Sequence, residues 1–126
     1  MKKIINTLKA PKPIGAYNQA VFANNTLYLS GQIGLNPKTM ELVEGGIMEE
    51  TEQIMQNIKS VLEAAEMNFE NVVKSSIFLA NMSDFSQVNQ VYGNYFKNHT
   101  APARETIAVK TLPKNVNLEI SMIAIK

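Results

Sequence analysis

Arg104 and Glu119 lie in two alternating stretches, Pro102-Ala103-Arg104-Glu105-Thr106-Ile107-Ala108-Val109 and Asn117-Leu118-Glu119-Ile120-Ser121-Met122-Ile123-Ala124-Ile125. Between them stands Leu112-Pro113-Lys114-Asn115, and two such stretches joined by a Pro/Asn loop read as a β-hairpin. With the fold-back centred near residues 111 and 112, Arg104 falls opposite or diagonal to Glu119 and shares one face of the ladder with it. A guanidinium offers a planar fork of donors, and a carboxylate can accept a proton, donate one or aim a water. Side by side they can hold a small carboxylic acid and move its protons. An ordinary cross-strand salt bridge is the commoner outcome of that geometry.

The elements that must position this pair follow from the hydrophobic periodicity. Lys3 to Thr7 reads as a short strand, and the Pro11, Pro13 and Gly15 loop that follows forbids regular pairing. Asn18–Ala23 and Thr26–Gln32 read as strands joined at Asn24-Asn25, where asparagine tolerates the positive φ of a tight hairpin. Gly31, at the end of the second, marks either a bulge or a close approach by another backbone or a ligand. Ile54, Met55, Ile58, Val61, Leu62 and Ala65 recur at helical spacing, with Glu49, Glu50 and Glu52 at the positive end of the dipole, and predict a helix over 49–66. Val72–Ala80 reads as a strand apolar on both faces, at Val72/Phe78 and at Val73/Ile77/Leu79.

A second helix is expected from Ser83 or Asp84 to about Lys97, with Phe85, Val88, Tyr92, Tyr95 and Phe96 within one arc. Asn89 falls inside that apolar arc. Its amide must bond to backbone, to a neighbouring subunit or to a ligand, the first being the commonest case. The order β-β-β-α-β-α-β-β makes this an α+β protein with a mixed β-sheet and two helices packed on one face. Two helices leave the other face bare although apolar residues point both ways, which predicts an oligomer.

A chain of 126 residues with no cysteine reads as one domain with a sizeable core and no disulfide, thiolate metal site or thiol nucleophile. The net charge of +1 comes from intermingled signs, so nucleic acid is not an expected partner. The one histidine, His99, sits in the polar run Lys97–Thr100 and reads as a surface-loop residue with no companion for a metal. The apolar run at Met1–Ile5 is cut short by Asn6, Lys9 and Lys12, and no stretch approaches the roughly 18 residues that cross a bilayer. A cytoplasmic protein with no membrane partner is the simplest expectation.

Several of these segments together resemble one family. Ile14-Gly15-Ala16-Tyr17-Asn18-Gln19, Ser30-Gly31-Gln32-Ile33, Asn36-Pro37-Lys38-Thr39, Asp84-Phe85 with Val88-Asn89 and Val91-Tyr92, Pro102-Ala103-Arg104, and Leu112-Pro113-Lys114 with Leu118-Glu119-Ile120 are similar to the RidA (YjgF) family of reactive-intermediate deaminases. The likeness spans nearly the whole chain, in family order and spacing. It implies a chorismate-mutase-like fold and a homotrimer with a cleft at each subunit boundary. The implied reaction is hydrolysis of 2-enamino and 2-imino acids, such as 2-aminoacrylate and 2-iminobutanoate, to 2-keto acids and ammonia, without metal or organic cofactor. By resemblance, Arg104 pairs with the substrate carboxylate and Glu119 positions or activates the attacking water. Gly31 and the backbone of Thr106 line the same cleft, and Tyr17, Ser30 and Asn89 match further cleft residues.

Three positions depart from the family. Thr106 stands where many members carry cysteine, with Glu105 where many carry serine, and Ala16 replaces a common proline. A thiol is therefore not essential here, and side chain 106 bears on substrate preference. The competing reading is a non-catalytic trimer that binds small carboxylates as a regulator, which Arg104 alone could serve. RNA cleavage, also associated with the family, fits poorly with near-neutral charge and one histidine.

Overall fold

The computed structural model describes residues 1–97 and 99–126. Strands β1 (Lys3–Ile5), β2 (Ala20–Ala23) and β3 (Thr26–Leu29) precede helix α1 (Ile47–Ala64). Strand β4 (Val72–Leu79), helix α2 (Phe85–Gly93) and strands β5 (Ala103–Ala108) and β6 (Leu118–Ile125) follow, so the expected order holds. Asn24 and Asn25 turn the first hairpin with φ of 49° and 59°. The left-handed region is where asparagine is tolerated best among residues with a side chain.

Helix α1 begins two residues before the expected start and ends two before the expected end. Helix α2 stops at Gly93, short of Lys97, because glycine and Asn94 are weak helix formers. Its expected aromatic arc is completed by a turn. Tyr95 and Phe96 pack on Phe69, with centroids 5.2 and 5.4 Å away, and Phe96 lies 4.8 Å from Tyr92. Neither Ser83 nor Asp84 caps α2 with its side chain; Asn81 instead accepts from the Ser83 N–H at 3.0 Å and caps the single 3₁₀ turn before it. In the polar run, Asn98 lies outside the described residues, and His99 is exposed with φ of 71°.

The sheet runs β1-β2-β3-β6-β4-β5, with β4 and β5 parallel and every other pair antiparallel. The expected hairpin between β5 and β6 does not exist, because β4 lies between them. The connection from Val109 to Asn117 is no tight turn; it buries Leu112 and Val116 and crosses the end of β4. There Val109 N–H bonds to Leu79 O at 2.8 Å, and Ala80 N–H bonds to Asn117 O at 2.9 Å. The physical reason is burial. β4 and β6 are apolar on both faces and belong in the middle of a sheet, whereas β5 carries Arg104, Glu105 and Thr106 and suits the edge.

Leu118, Ile120, Met122 and Ala124 of β6 are buried beneath the helices with Ile77 and Leu79 of β4 and Ile54, Met55, Ile58, Val61 and Leu62 of α1. A bulge between Val72 and Lys74 reverses the expected parity at the start of β4: Val72 joins the core and Val73 is exposed. The opposite face is bare. Pairing places Ile4, Val21, Tyr28 and Ile123 in one row across it and Phe78 and Ile107 in another; Ile4, Tyr28, Ile107 and Ile125 are exposed.

Candidate functional site

Side-chain parity decides where the two chemistry-bearing residues stand. Arg104 pairs with Ser75, and Ser75 pairs with Met122, so all three point toward the helices. Glu119 is three residues from Met122, an odd number, and pairs with Phe78 on the bare face. Arg104 and Glu119 of one chain therefore lie on opposite faces of the sheet. They are also separated by about 10 Å along the strands and about 10 Å across them. The cross-strand pair expected from a hairpin is corrected accordingly.

On the helix side, α2 builds a seat for Arg104. Its Nη1 donates to Asn89 Oδ1 at 2.8 Å, and the guanidinium lies 5.0 Å from the ring centre of Tyr92 and 5.6 Å from that of Phe85. Phe85, Asn89 and Tyr92 recur at i, i+4 and i+7, which puts all three on one helix face. Tyr92 is fixed in turn by donating its hydroxyl to Ser75 Oγ at 2.8 Å, and burial pushes its pKa up. Asn89 thus finds its partner in the Arg104 side chain of the same chain, which is none of the three partners expected for it. Among the described residues no carboxylate lies within 4 Å of this guanidinium, so its charge stands without a counter-ion. Two residues along the same face, Thr106 has a buried Oγ1 with no hydrogen-bond partner among the described residues.

On the bare face, Glu119 is packed against backbone. A Cβ on Gly31 would sit 2.7 Å from Glu119 Cδ, which glycine alone avoids. That contact is held by reciprocal bonds just beyond it, Gln32 N–H to Ile120 O at 2.8 Å and Ile120 N–H to Gln32 O at 3.1 Å. The glycine therefore marks a close backbone approach, one of its two expected meanings. Burial pushes the Glu119 carboxyl above its ordinary pKa. Its face-mate Glu105 is the opposite case, held low by Lys74 at 2.7 Å with help from the Ser76 hydroxyl.

Gly31 also lines a cleft of about 260 Å³ with Pro11, Lys12, Ile14, Tyr17 and Lys114. The Tyr17 hydroxyl accepts from Ile14 N–H at 3.2 Å. Ser30 has its hydroxyl committed to Asn18 O at 2.6 Å, so it shapes the loop and leaves no free donor. Sequence reasoning missed Gln19, whose buried amide bonds to Thr7 O, Ala10 O and Pro11 O at 2.9, 3.2 and 2.9 Å and folds the proline loop over the cleft. It also missed that Phe85 and Tyr92 seat Arg104, although their helical spacing from Asn89 carried the signal. Among the described residues no cluster of three His, Asp or Glu side chains could hold a metal, and no helix is long and apolar enough to cross a membrane.

The seven candidate residues thus fall into two groups: Asn89 on α2 with Arg104 and Thr106 on the helix side of β5, and Tyr17, Ser30, Gly31 and Glu119 toward the other side. The first can anchor an anion. The second can aim a water or exchange a proton.

Comparison with known proteins matches residues 7–126 to the family described as endoribonuclease L-PSP. The rat protein named 2-iminobutanoate/2-iminopropanoate deaminase is 45% identical over 126 residues, covering 100% of this chain and 91% of its own. A Yersinia pestis structure of the conserved Rid protein family superposes with a TM-score of 0.97 at 44% identity, covering 100% of both chains. The Escherichia coli protein TdcF, solved with bound serine, gives a TM-score of 0.92 at 35% identity over 98% of each chain.

Proposed function

The chain belongs to the RidA (YjgF) family, and we propose that it is a deaminase hydrolysing 2-imino and 2-enamino acids, such as 2-iminobutanoate and 2-aminoacrylate, to 2-keto acids and ammonia. The observation that carries this reading is the uncompensated Arg104 guanidinium, held by Asn89 and stacked on Tyr92. A planar fork fixed in place and lacking a carboxylate is built for a substrate carboxylate. The names of the mammalian relatives supply the reaction class, and the serine bound by TdcF is an amino acid of the expected size.

Because Arg104 and Glu119 face opposite ways, the working site is composite. The helix-side group of one subunit meets the bare-face group of the next, and repetition around a three-fold axis gives a homotrimer with three sites. The exposed apolar residues Ile4, Tyr28, Ile107 and Ile125 on that face support such an assembly, since an apolar sheet face of this kind calls for cover. Cytoplasmic location fits the proposed substrates.

In the reaction, Arg104 binds the carboxylate and leaves the protonated imine carbon open to water. The Glu119 carboxylate takes a proton from that water as its oxygen bonds to the imine carbon. The proton passes to nitrogen, the C–N bond breaks, and the departing ammonia takes up the hydroxyl proton as the keto group forms, giving a 2-keto acid and ammonium. An enamine first takes a proton on its β-carbon. Thr106 Oγ1 lies on the anchor side, where a substrate oxygen or imine N–H would satisfy it. Acid–base help of this kind is worth on the order of 10² to 10⁴ in rate.

The test is 2-ketobutyrate formation from 2-iminobutanoate generated in place by a threonine dehydratase, with semicarbazide trapping free imine. Wild type should accelerate it, and folded Arg104→Ala and Glu119→Ala should not. No acceleration by folded wild type with either the four-carbon or the three-carbon substrate would overturn the reading.

A further inference from the structure

Glu50 is a carboxylate that the proposed chemistry does not use. It sits in the first turn of α1 and is 2% exposed, yet no cation pairs with it among the described residues. Its oxygens accept from Asn117 twice, from the backbone N–H at 3.2 Å and from Nδ2 at 2.5 Å. A buried charge is costly unless hydrogen-bonded, and both of these bonds go to one residue, two places before Glu119.

The same residue presses on the other wall. A Cβ on Gly34 would lie 3.0 Å from Glu50 Cγ and 3.2 Å from its Cα and O, so the loop three residues past Gly31 rests on Glu50. Between the two contacts run the reciprocal Gln32 and Ile120 bonds that set Gly31 against Glu119. One side chain therefore braces both segments whose approach defines where the Glu119 carboxylate stands.

We infer that Glu50 is a positioning residue for Glu119: it fixes the start of β6 through Asn117 and the loop beyond Gly31 through Gly34, and so sets the depth of the Glu119 carboxylate. The kinetic part of this inference rests on the proposed deaminase; the placement part does not. A displacement near 1 Å at a reacting group can cost about 10²-fold in rate.

The experiment compares Glu50→Ala and Glu50→Gln in the full chain, each alone and with Glu119→Gln. Glu50→Ala should lower kcat about 10- to 100-fold while KM, set by Arg104 in the other group, stays within about twofold. Glu50→Gln, with the Asn117 amide rotated, keeps both contacts and should restore kcat. In the Glu119→Gln background Glu50→Ala should cost nothing more; fully multiplicative losses would overturn the inference. Should Glu50→Ala fail to fold, Asn117→Ala removes one of the two contacts and carries the same expectations. Independently of turnover, the Glu119 carboxyl is titrated by ¹³C NMR. Its midpoint should fall toward the ordinary carboxylate value in Glu50→Ala, and an unmoved midpoint in a folded variant would overturn the inference even if wild type hydrolysed no imine.

Discussion

The two halves of the candidate site are fixed by different means. Arg104 stands on an edge strand, with β4 its one strand neighbour, and its position comes from side chains: Asn89, Tyr92 and Phe85, with Tyr92 locked on Ser75. Glu119 stands on a central strand between β3 and β4, and its position comes from backbone: Gly31, the Gln32–Ile120 ladder and the bond of Asn117 N–H to Glu50. A group that must remain charged is given hydrogen bonds and a π-face. A group proposed to gain and lose a proton is given burial with no donor among the described residues to hold it ionised, and its pKa rises accordingly. The proposed anchor and the proposed proton carrier need opposite environments, and opposite faces of one sheet provide them.

The largest effect that would break this division comes from subunit mixing. Arg104→Ala and Glu119→Ala should each lose about 10²-fold or more in kcat/KM. Refolded together in equal amounts, the two inactive variants should recover about a quarter of wild-type activity, since one interface in four pairs an intact Arg104 with an intact Glu119. No recovery on mixing would mean that a site does not span two chains.

Gly31→Ala is the next largest. The new methyl group collides with the Glu119 carboxylate rather than with backbone, so the fold should survive while kcat drops about 10- to 100-fold. Binding of a non-reactive carboxylate at Arg104, measured by calorimetry, should be unchanged. A parallel loss of that binding would show that the halves are not independent.

Thr106→Val sharpens the anchor side. Replacing an orphan buried hydroxyl with a methyl group should stabilise the unliganded protein by about 1 kcal/mol and raise KM about three- to tenfold. Stability and affinity moving in opposite directions is the signature of a hydroxyl that serves the ligand.

The smallest effects are in pH. Glu119, its pKa raised by burial, holds its proton more tightly in the folded chain than in the unfolded one. The stability linked to it is present below the ordinary value of 4.5 and is lost as pH rises through the raised folded value. Glu105, lowered by its hydrogen bond to Lys74, contributes in the opposite sense: stability present above 4.5 and lost as pH falls through the depressed value. Melting temperatures of Glu119→Gln and Glu105→Gln against wild type, from acid to neutral pH, should therefore diverge with slopes of opposite sign.

Element order, sheet class and the helix-covered face were legible because periods of 2 and 3.6 residues are written locally. Asn24-Asn25 and Gly31 were legible because asparagine and glycine are chosen for backbone reasons. The partnership of β5 and β6 was misread because adjacency in sequence favours a hairpin, and only the two-sided apolarity of β4 and β6 argues for placing β4 between them. Glu50 was read only as one of three carboxylates that compensate the helix dipole. It is buried, and its hydrogen-bond partner Asn117 lies 67 residues away, which no local pattern records. Family likeness supplied Arg104 and Glu119 as members of one site, but their opposite faces follow from strand parity, which becomes readable once the register is known.

The interior place of β6 also governs how the chain can assemble itself. β6 is synthesised after all five strands with which it shares the sheet. Until it arrives, β1-β2-β3 and β4-β5 are separate fragments, each with an open hydrogen-bonding edge. Closing them requires long loops to be fixed before the contacts that reward them form, which makes for slow folding. The edges of β3 and β4 are then the natural targets for a chaperone or for misassembly with another nascent chain. Insertion of this one strand joins the fragments, buries Leu118, Ile120 and Met122, and brings Glu119 to Gly31 in a single late event.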